Sequence, residues 1–436
     1  VLFIASFTYV TAQINATGTI ASRALGIPFE AGVWVGLISI LICSMLGGMR
    51  AVTWTQVAQY IVLIIAYLIP VFWISSNVGG GIFPHLMLGD EVARLGELEQ
   101  QFGLVKNSAA DMKAAGVPGG LKYISGTHSG VPEGGMAVWK YLSLAICMMV
   151  GTASLPHILM RYFTTPTVRA ARKSVAWSLF FIFLLYSSAP MLATLSKLAL
   201  MDPNLPTGII GKSISEVQSI EWVQRWSEVK QVFIADFNGD GILQLNEWFM
   251  RGDVVVLATP EVAGLPFVIS GLVFAGGMAA AMSTADGLVL AISNALSHDI
   301  YYKIINPKAE TAKRLLVARV LLVIIGAAGA YIASFRLTSI LGSVAWAFDF
   351  AMSGLFFPLV LGVWWKRATR EGAIAGILAG IISGTVYLTW VFPKFSVPIW
   401  GGVNTPFLGI DHLRFGLIGA PICLVVMVVV SLMTKE

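Results

Sequence analysis

Ten times along this chain an apolar run of roughly twenty residues recurs, each ended by Gly, Pro or a cluster of charge. That is the length an α-helix needs to cross the roughly 30 Å hydrocarbon core of a bilayer. The runs fall at 1–24, 32–48, 55–75, 138–160, 174–200, 264–296, 315–334, 338–363, 372–392 and 413–433. Only 12% of the 436 residues are charged, against about 25% in a soluble domain. Mean hydropathy is +0.80. A soluble enzyme, a disordered chain, a coiled coil and a disulfide-stapled secreted domain are excluded. The chain reads as an all-α polytopic membrane protein, one transmembrane domain over 1–436.

Basic residues in short loops set the orientation. Arg50, Arg161, Arg169, Arg172, Lys173, Lys303, Lys308, Lys313, Arg314, Lys366, Arg367, Arg370 and Lys435 all fall on one side when Val1 starts in the cytoplasm. Arg23, Arg336, Lys394 and Arg414 are the few on the other. This places the chain in the cell (inner) membrane with a cytoplasmic C-terminus. Two polar inserts, 76–135 and 201–260, then lie on the outer face. The first is expected to hold one short amphipathic helix, and neither insert shows strand alternation. The net charge of +5 is too small and dispersed for nucleic acid. Cys43, Cys147 and Cys423 sit in apolar runs and form no disulfide framework. Val1, already inside an apolar run, reads as the start of a fragment lacking upstream helices.

Lipid tolerates no unsatisfied backbone, so a helix breaker at membrane depth must line protein or a wet cavity. The run 138–160 contains Gly151-Thr152-Ala153-Ser154-Leu155-Pro156-His157. Pro156 removes a hydrogen bond, and a broken helix offers N–H groups to an anion or carbonyls to a cation; a packing kink is the plainer reading. In the run 264–296, Ala280, Ser283 and Thr284 permit close helix approach. They equally supply a carbonyl and two hydroxyls to a small cation. Asp286 and Asp349 are intramembrane carboxylates, expensive enough to point to function. Each is open to binding a cation, carrying a proton or accepting a neighbour's hydrogen bond. His157 is read as a hydrogen-bonded structural group before a proton carrier. His85, His128, His298 and His412 form no cluster.

The sharpest local pattern is DFNGDGILQLNE, 236–247. It places Asp236, Asn238 and Asp240 at positions 1, 3 and 5 of an EF-hand loop and Gly241 at the turn. The Ile242 carbonyl follows at position 7, Gln244 at 9 and a bidentate Glu247 at 12. Flanking segments are expected to form an entering and an exiting helix. Only one copy occurs where EF-hands usually pair, so the reading is a low-affinity Ca2+ clasp on the outer insert; a chance Asp/Asn/Gly turn is the alternative.

Four stretches resemble the sodium:solute symporter family, most closely its cation/acetate (monocarboxylate) branch: GGMRAVTWTQVAQ (47–59), GTASLPHILMRYFTTPTVRAARKSV (151–175), AAAMSTADGLVLAISNALSHDIYYK (279–303) and PLVLGVWWKRATREGAIAGILAG (358–380). The resemblance implies an inverted repeat of five plus five helices with a site midway. The first two core helices would lie upstream of Val1. It implies Na+ at Ala280, Ser283 and Thr284, completed by a helix outside this chain. Gln56 stands where many relatives are acidic, and the EF-hand-like loop is not a family feature. The function implied is symport of a small organic anion such as acetate with sodium, by alternating access. The substrate would meet Gln13, Gly151, Thr152, Ser154 and His157. Proton coupling through Asp286 or His157, or a transporter-like solute sensor, are the alternatives. The partners implied are the small organic-anion substrate and the lipid bilayer, and a small membrane-protein subunit is left open.

Overall fold

Polar side chains mark the innermost helix. In the computed structural model, which describes residues 1–78, 81, 83–102, 109–118, 121–123, 135–162 and 165–434, α1 (Leu2–Leu25) packs against four other helices. Its threonines fold back onto their own helix, Thr11 on the Phe7 carbonyl at 3.0 Å and Thr19 on that of Asn15 at 3.0 Å. Such back-bonding satisfies a hydroxyl without water. The same polar content keeps α1 below the hydropathy of a span by itself. It reaches that level only jointly with the start of α2 (Phe29–Val78), from which it bends by 112°. Gly26, left-handed at φ 65°, makes the turn.

α2 corrects an expectation. Two spans joined by a loop near 49–54 were expected, yet the helix runs unbroken for 50 residues. Gly47 and Gly48 lower helix propensity by only about 1 kcal/mol each, and no proline interrupts the backbone until Pro70. At 1.5 Å per residue α2 is about 75 Å long, more than twice the hydrocarbon thickness.

The first insert contributes α3 (Pro84–Phe102), α4 (Ala109–Ala114) and β1 (Lys122–Tyr123). α5 (Gly135–Ala153) and α6 (Pro156–Tyr162) form the broken helix, and α7 (Val168–Met201) returns. The second insert holds α8 (Ile214–Ser219), α9 (Glu221–Glu228), β2 (Val232–Ile234), β3 (Trp248–Met250) and α10 (Val255–Val262). Then come α11 (Phe267–Asn294), continued by a π-helical stretch Ala295–Ile305, and α12 (Thr311–Ser334). α13 (Ile340–Ala351) passes through a second π-helical stretch, Met352–Phe356, into α14 (Phe357–Trp364). α15 (Arg370–Val391), the short α16 (Pro393–Trp400) and α17 (Gly416–Met433) complete the bundle. All ten apolar runs are helical. Among the described residues seven helices suffice as spans, eight with the bent pair. The run 264–296 does extend past a perpendicular span, as Phe267–Ile305 with 39 residues.

The two inserts form one cap. β1 and β2 both pair antiparallel with β3, Phe233 opposite Phe249, so strands exist where none was expected. Strands of two or three residues are too short to show a period of two. Under the sheet, Trp226, Trp248 and Leu95 pack with Met191, Leu195 and Leu198 from the last turns of α7. The first half of α7 instead exposes Trp177, Phe180, Phe183 and Tyr186, an apolar face suited to lipid. His128 and Lys435 lie outside the described residues, as do the side chains of Arg50 and Arg161.

Candidate functional site

α11 crosses the centre of the bundle against α1 and α2. Near its middle the Ser283 hydroxyl donates to the Ala280 carbonyl at 2.9 Å, and the Thr284 hydroxyl reaches the same oxygen at 3.5 Å. Three uncharged oxygens therefore stand together on one turn. That donor set suits a hard monovalent cation that must also leave. From α2, Gln56 Nε2 donates to the Ser283 carbonyl, while Gln56 Oε1 and Gln59 Oε1 are buried without a partner.

Half a turn on, Asp286 is fully buried. Its Oδ1 accepts from Ser44 of α2 at 2.9 Å, and its Oδ2 has no partner. Ser44 was missed in the sequence. The signal was weak, because a serine in an apolar helix becomes informative only once α2 and α11 are known to touch.

The broken helix forms as expected. α5 ends at Ala153, Ser154 turns, and α6 starts at Pro156. Gly151 is there for packing: a Cβ on it would stand 2.6 Å from the Phe348 Cβ. Ser154 is fully buried and spends its hydroxyl on the Gly151 and Val150 carbonyls at 2.9 and 3.1 Å. Thr152 is exposed and bonds the Met148 carbonyl at 2.6 Å. His157 packs edge-on to Tyr9 of α1, ring centroids 5.8 Å apart. α6 also touches α11. Gln13 is half-buried on α1.

A cavity of about 150 Å³ lies between α1 and α13, lined by Thr8, Thr11, Asn15, Ser343 and Trp346 among others. The run of Thr and Asn along α1 was the available signal for it. A larger cavity of about 410 Å³ is lined by Leu2, Asn294, Ser297, His298, Asp299 and Arg314 among others.

The loop 236–247 sits between β2 and β3, not between two helices. Lys230, left-handed at φ 56°, reverses the chain after α9, and in the flanks Val232–Ile234 and Trp248–Met250 every residue but Met250 is β-branched or aromatic. Gly241 adopts φ 72° as the turn position demands. Asp236 accepts from the Gly239 and Gly241 amides at 2.7 and 3.0 Å, Asp240 from Ile242 at 2.8 Å. The buried Glu247 accepts from Phe237 and Gln244 at 2.8 and 3.0 Å. Asn238 and Gln244 turn their amide nitrogens to Asp240 at 2.8 and 2.9 Å. Among the described residues no three His, Cys, Asp or Glu side chains are gathered as a metal cluster in this conformation. Ile242, at position 7, bridges to Ser213, so the segment 211–214 takes the place a paired loop would occupy.

Comparison with known proteins shows the family and the fold. The model of the sodium:solute symporter family matches residues 1–211 and 254–380, leaving out the stretch that carries the loop. An uncharacterized symporter of Cupriavidus necator is 36% identical, over 99% of this chain and 73% of its own length. A monocarboxylic acid transporter of Corynebacterium glutamicum is 25% identical, over 96% of this chain and 67% of its own. A solved Na+-coupled sialic acid symporter, substrate-bound and outward-open, superposes with a TM-score of 0.60 at 15% identity, covering 100% of this chain and 74% of that one. The last likeness shows the fold, an inverted-repeat transporter bundle.

Proposed function

The chain belongs to the sodium:solute symporter family, and from that premise we propose that it imports a small monocarboxylate, acetate-like in size, driven by sodium. One observation carries the reading: the hydroxyls of Ser283 and Thr284 converge on the Ala280 carbonyl at a half-buried turn of α11. An uncharged oxygen set binds an alkali ion weakly enough to release it, as a coupling ion requires. The carboxylate of the substrate meets the break at Gly151–His157 with Gln13 and His157 alongside. A transporter named for monocarboxylic acids among the relatives supports the substrate class. The C-terminus faces the cytoplasm and the cap faces outward.

Alternating access couples the two ligands when ion binding favours the substrate-competent state, a linkage of about 1–3 kcal/mol. Uptake by proteoliposomes of the full-length protein tests this. A sodium gradient is expected to drive accumulation, and Ser283→Ala to abolish the sodium dependence. Equal accumulation in potassium medium overturns the reading; uptake driven by a pH gradient without sodium replaces it with proton coupling. Saturable binding without flux makes the protein a sensor.

The loop 236–247 is proposed as a Ca2+ clasp for the cap. Asp236, Asn238, Asp240, the Ile242 carbonyl, Gln244 and Glu247 supply the oxygens. Glu247 and the two amides must turn inward on binding, so the affinity is low, in the roughly 10⁻⁴–10⁻³ M range of extracellular modules. Calorimetry on the whole protein with CaCl2, native against Glu247→Gln, decides it: no calcium-dependent heat in the native protein removes the clasp.

A further inference from the structure

Asp349 sits deep in α13 and is fully buried, yet neither carboxylate oxygen completes a hydrogen bond. One turn later Ser353, also fully buried, has an unpartnered hydroxyl. Between them α13 changes to the π-helical stretch Met352–Phe356, a distortion that occurs mostly at functional places. Two unmet polar groups on successive turns at such a point are unusual in a well-packed interior.

Their surroundings are built from glycine. A Cβ on Gly416 of α17 would stand 2.8 Å from Asp349 Oδ1, and one on Gly419 would stand 2.3 Å from Ser353 Oγ. Gly380 of α15 presses on the Ser353 carbonyl in the same way, a Cβ there falling at 2.0 Å. Backbone lies directly on both groups. A metal ion needs a shell of several oxygens, at about 2.3–2.6 Å for one the size of calcium, and this packing leaves no place for it. A proton needs no space.

The charges nearby leave the carboxylate without a permanent counter-ion. Arg414, just before α17, is paired with Asp411 and donates to the Lys140 carbonyl at 2.9 Å. From α5 the neighbour is the Cys147 thiol. Tyr387 of α15 gives its hydroxyl to the Ile410 carbonyl at 2.7 Å. His412 accepts from Trp346 at 3.2 Å, and on α1 Tyr9 packs edge-on to Phe348 with His157 beside it. A bare buried carboxylate costs several kcal/mol. Two features answer its two forms. The amides of Phe415 and Gly416, at the start of α17, lie beside the carboxylate, where a helix N-terminus favours an anion. The Ser353 oxygen, four residues on, is an acceptor for the acid.

We propose that Asp349 is a proton-binding site, separate from the α11 oxygens, that donates to Ser353 when protonated and turns to the N-terminal amides of α17 when charged. One proton is taken up on a carboxylate oxygen and released to water. The change of partner shifts α13 against α17 at the π-helical stretch.

Infrared difference spectroscopy on the full-length protein, without substrate or sodium, tests this independently of transport. The native protein is expected to show a protonated-carboxyl band that disappears reversibly as pH rises. Asp349→Asn, nearly isosteric, loses that band. Ser353→Ala keeps it and moves its midpoint down by about one unit, because only the acid loses a partner. Amide exchange at 415–419 slows on deprotonation in the native protein and is pH-independent, after correction for intrinsic rates, in Asp349→Asn. A band that Asp349→Asn does not remove, or one that never titrates, overturns the proposal.

Discussion

The cap and the bundle solve opposite problems with the same chain. In the cap the largest apolar side chains, Trp226, Trp248 and Phe249, are inside, and charge lies mostly at the rim. In the bundle Trp177, Phe180 and Phe183 face outward, while Asp286, Asp349, Ser353 and Asn15 are inside. Water drives the first arrangement through the hydrophobic effect. Lipid removes that drive between helices and leaves small residues and satisfied polar groups to hold the second. Side-chain polarity therefore marks the outside in the cap and the inside in the bundle.

The sharpest way to break this contrast is at α11. Replacing Ser283 by alanine and Thr284 by valine removes two oxygens and hardly changes volume. Transport should lose its sodium dependence, with at least about a tenfold fall in apparent sodium affinity for each oxygen that contributes about 1.4 kcal/mol. Thermal unfolding should barely move. A variant that unfolds early and still couples sodium would place these hydroxyls among packing groups.

Trp248→Ala should do the reverse. It empties the centre of the cap and costs about 3–5 kcal/mol by loss of buried surface and the cavity left. Amide exchange should accelerate across β2 and β3, while sodium-driven uptake at low temperature survives. Equal loosening of α11 would mean that cap and bundle unfold as one unit.

At their junction lies a buried ion pair, Lys197 of α7 with Glu99 of α3. Removing one partner strands a buried charge, so Lys197→Met should cost about 3 kcal/mol. The double change Lys197→Met with Glu99→Leu should regain most of that, since an apolar pair of similar volume is often neutral. A double variant no better than the single would show the pair does more than compensate charge. Melting curves of the three proteins decide it.

How much of this was legible in advance follows the same divide. The bundle was readable because a span has a length and a composition, and because a breaker such as Pro156 at depth must be met by surrounding protein. The Ser283–Thr284 turn and the break at Ser154 both stand where they were expected. Continuity of α2 was not readable, since two glycines weaken a helix without ending it. The cap was misread because its sheet pairs β1 with β3 across more than a hundred residues of sequence, and strands that short carry no periodic signal. The two bare groups at Asp349 and Ser353 could not be recognised until α17 was seen to lay its glycines against them.

The smallest effect concerns protons in the cap, and its sign separates the two regions again. Glu261 donates nothing and accepts from Trp226 Nε1 at 2.5 Å and from Arg23 at 2.7 Å. Burial nevertheless outweighs these contacts and holds its carboxyl above the ordinary range. Asp253, which accepts from the Ile340 amide at 3.2 Å, is likewise pushed up by burial. A carboxyl raised on folding binds more protons folded than unfolded between its two values. Stability therefore falls as pH rises through that window and is level above it. Most paired carboxylates behave oppositely. The tryptophan fluorescence melt of the native cap should sharpen slightly upward as pH drops toward the ordinary carboxylate range. In Glu261→Gln part of that slope should vanish. An unchanged slope would mean that the Arg23 and Trp226 contacts cancel burial at Glu261, and a steeper one that they outweigh it; in either case the cap would resemble a surface more than an interior at this joint.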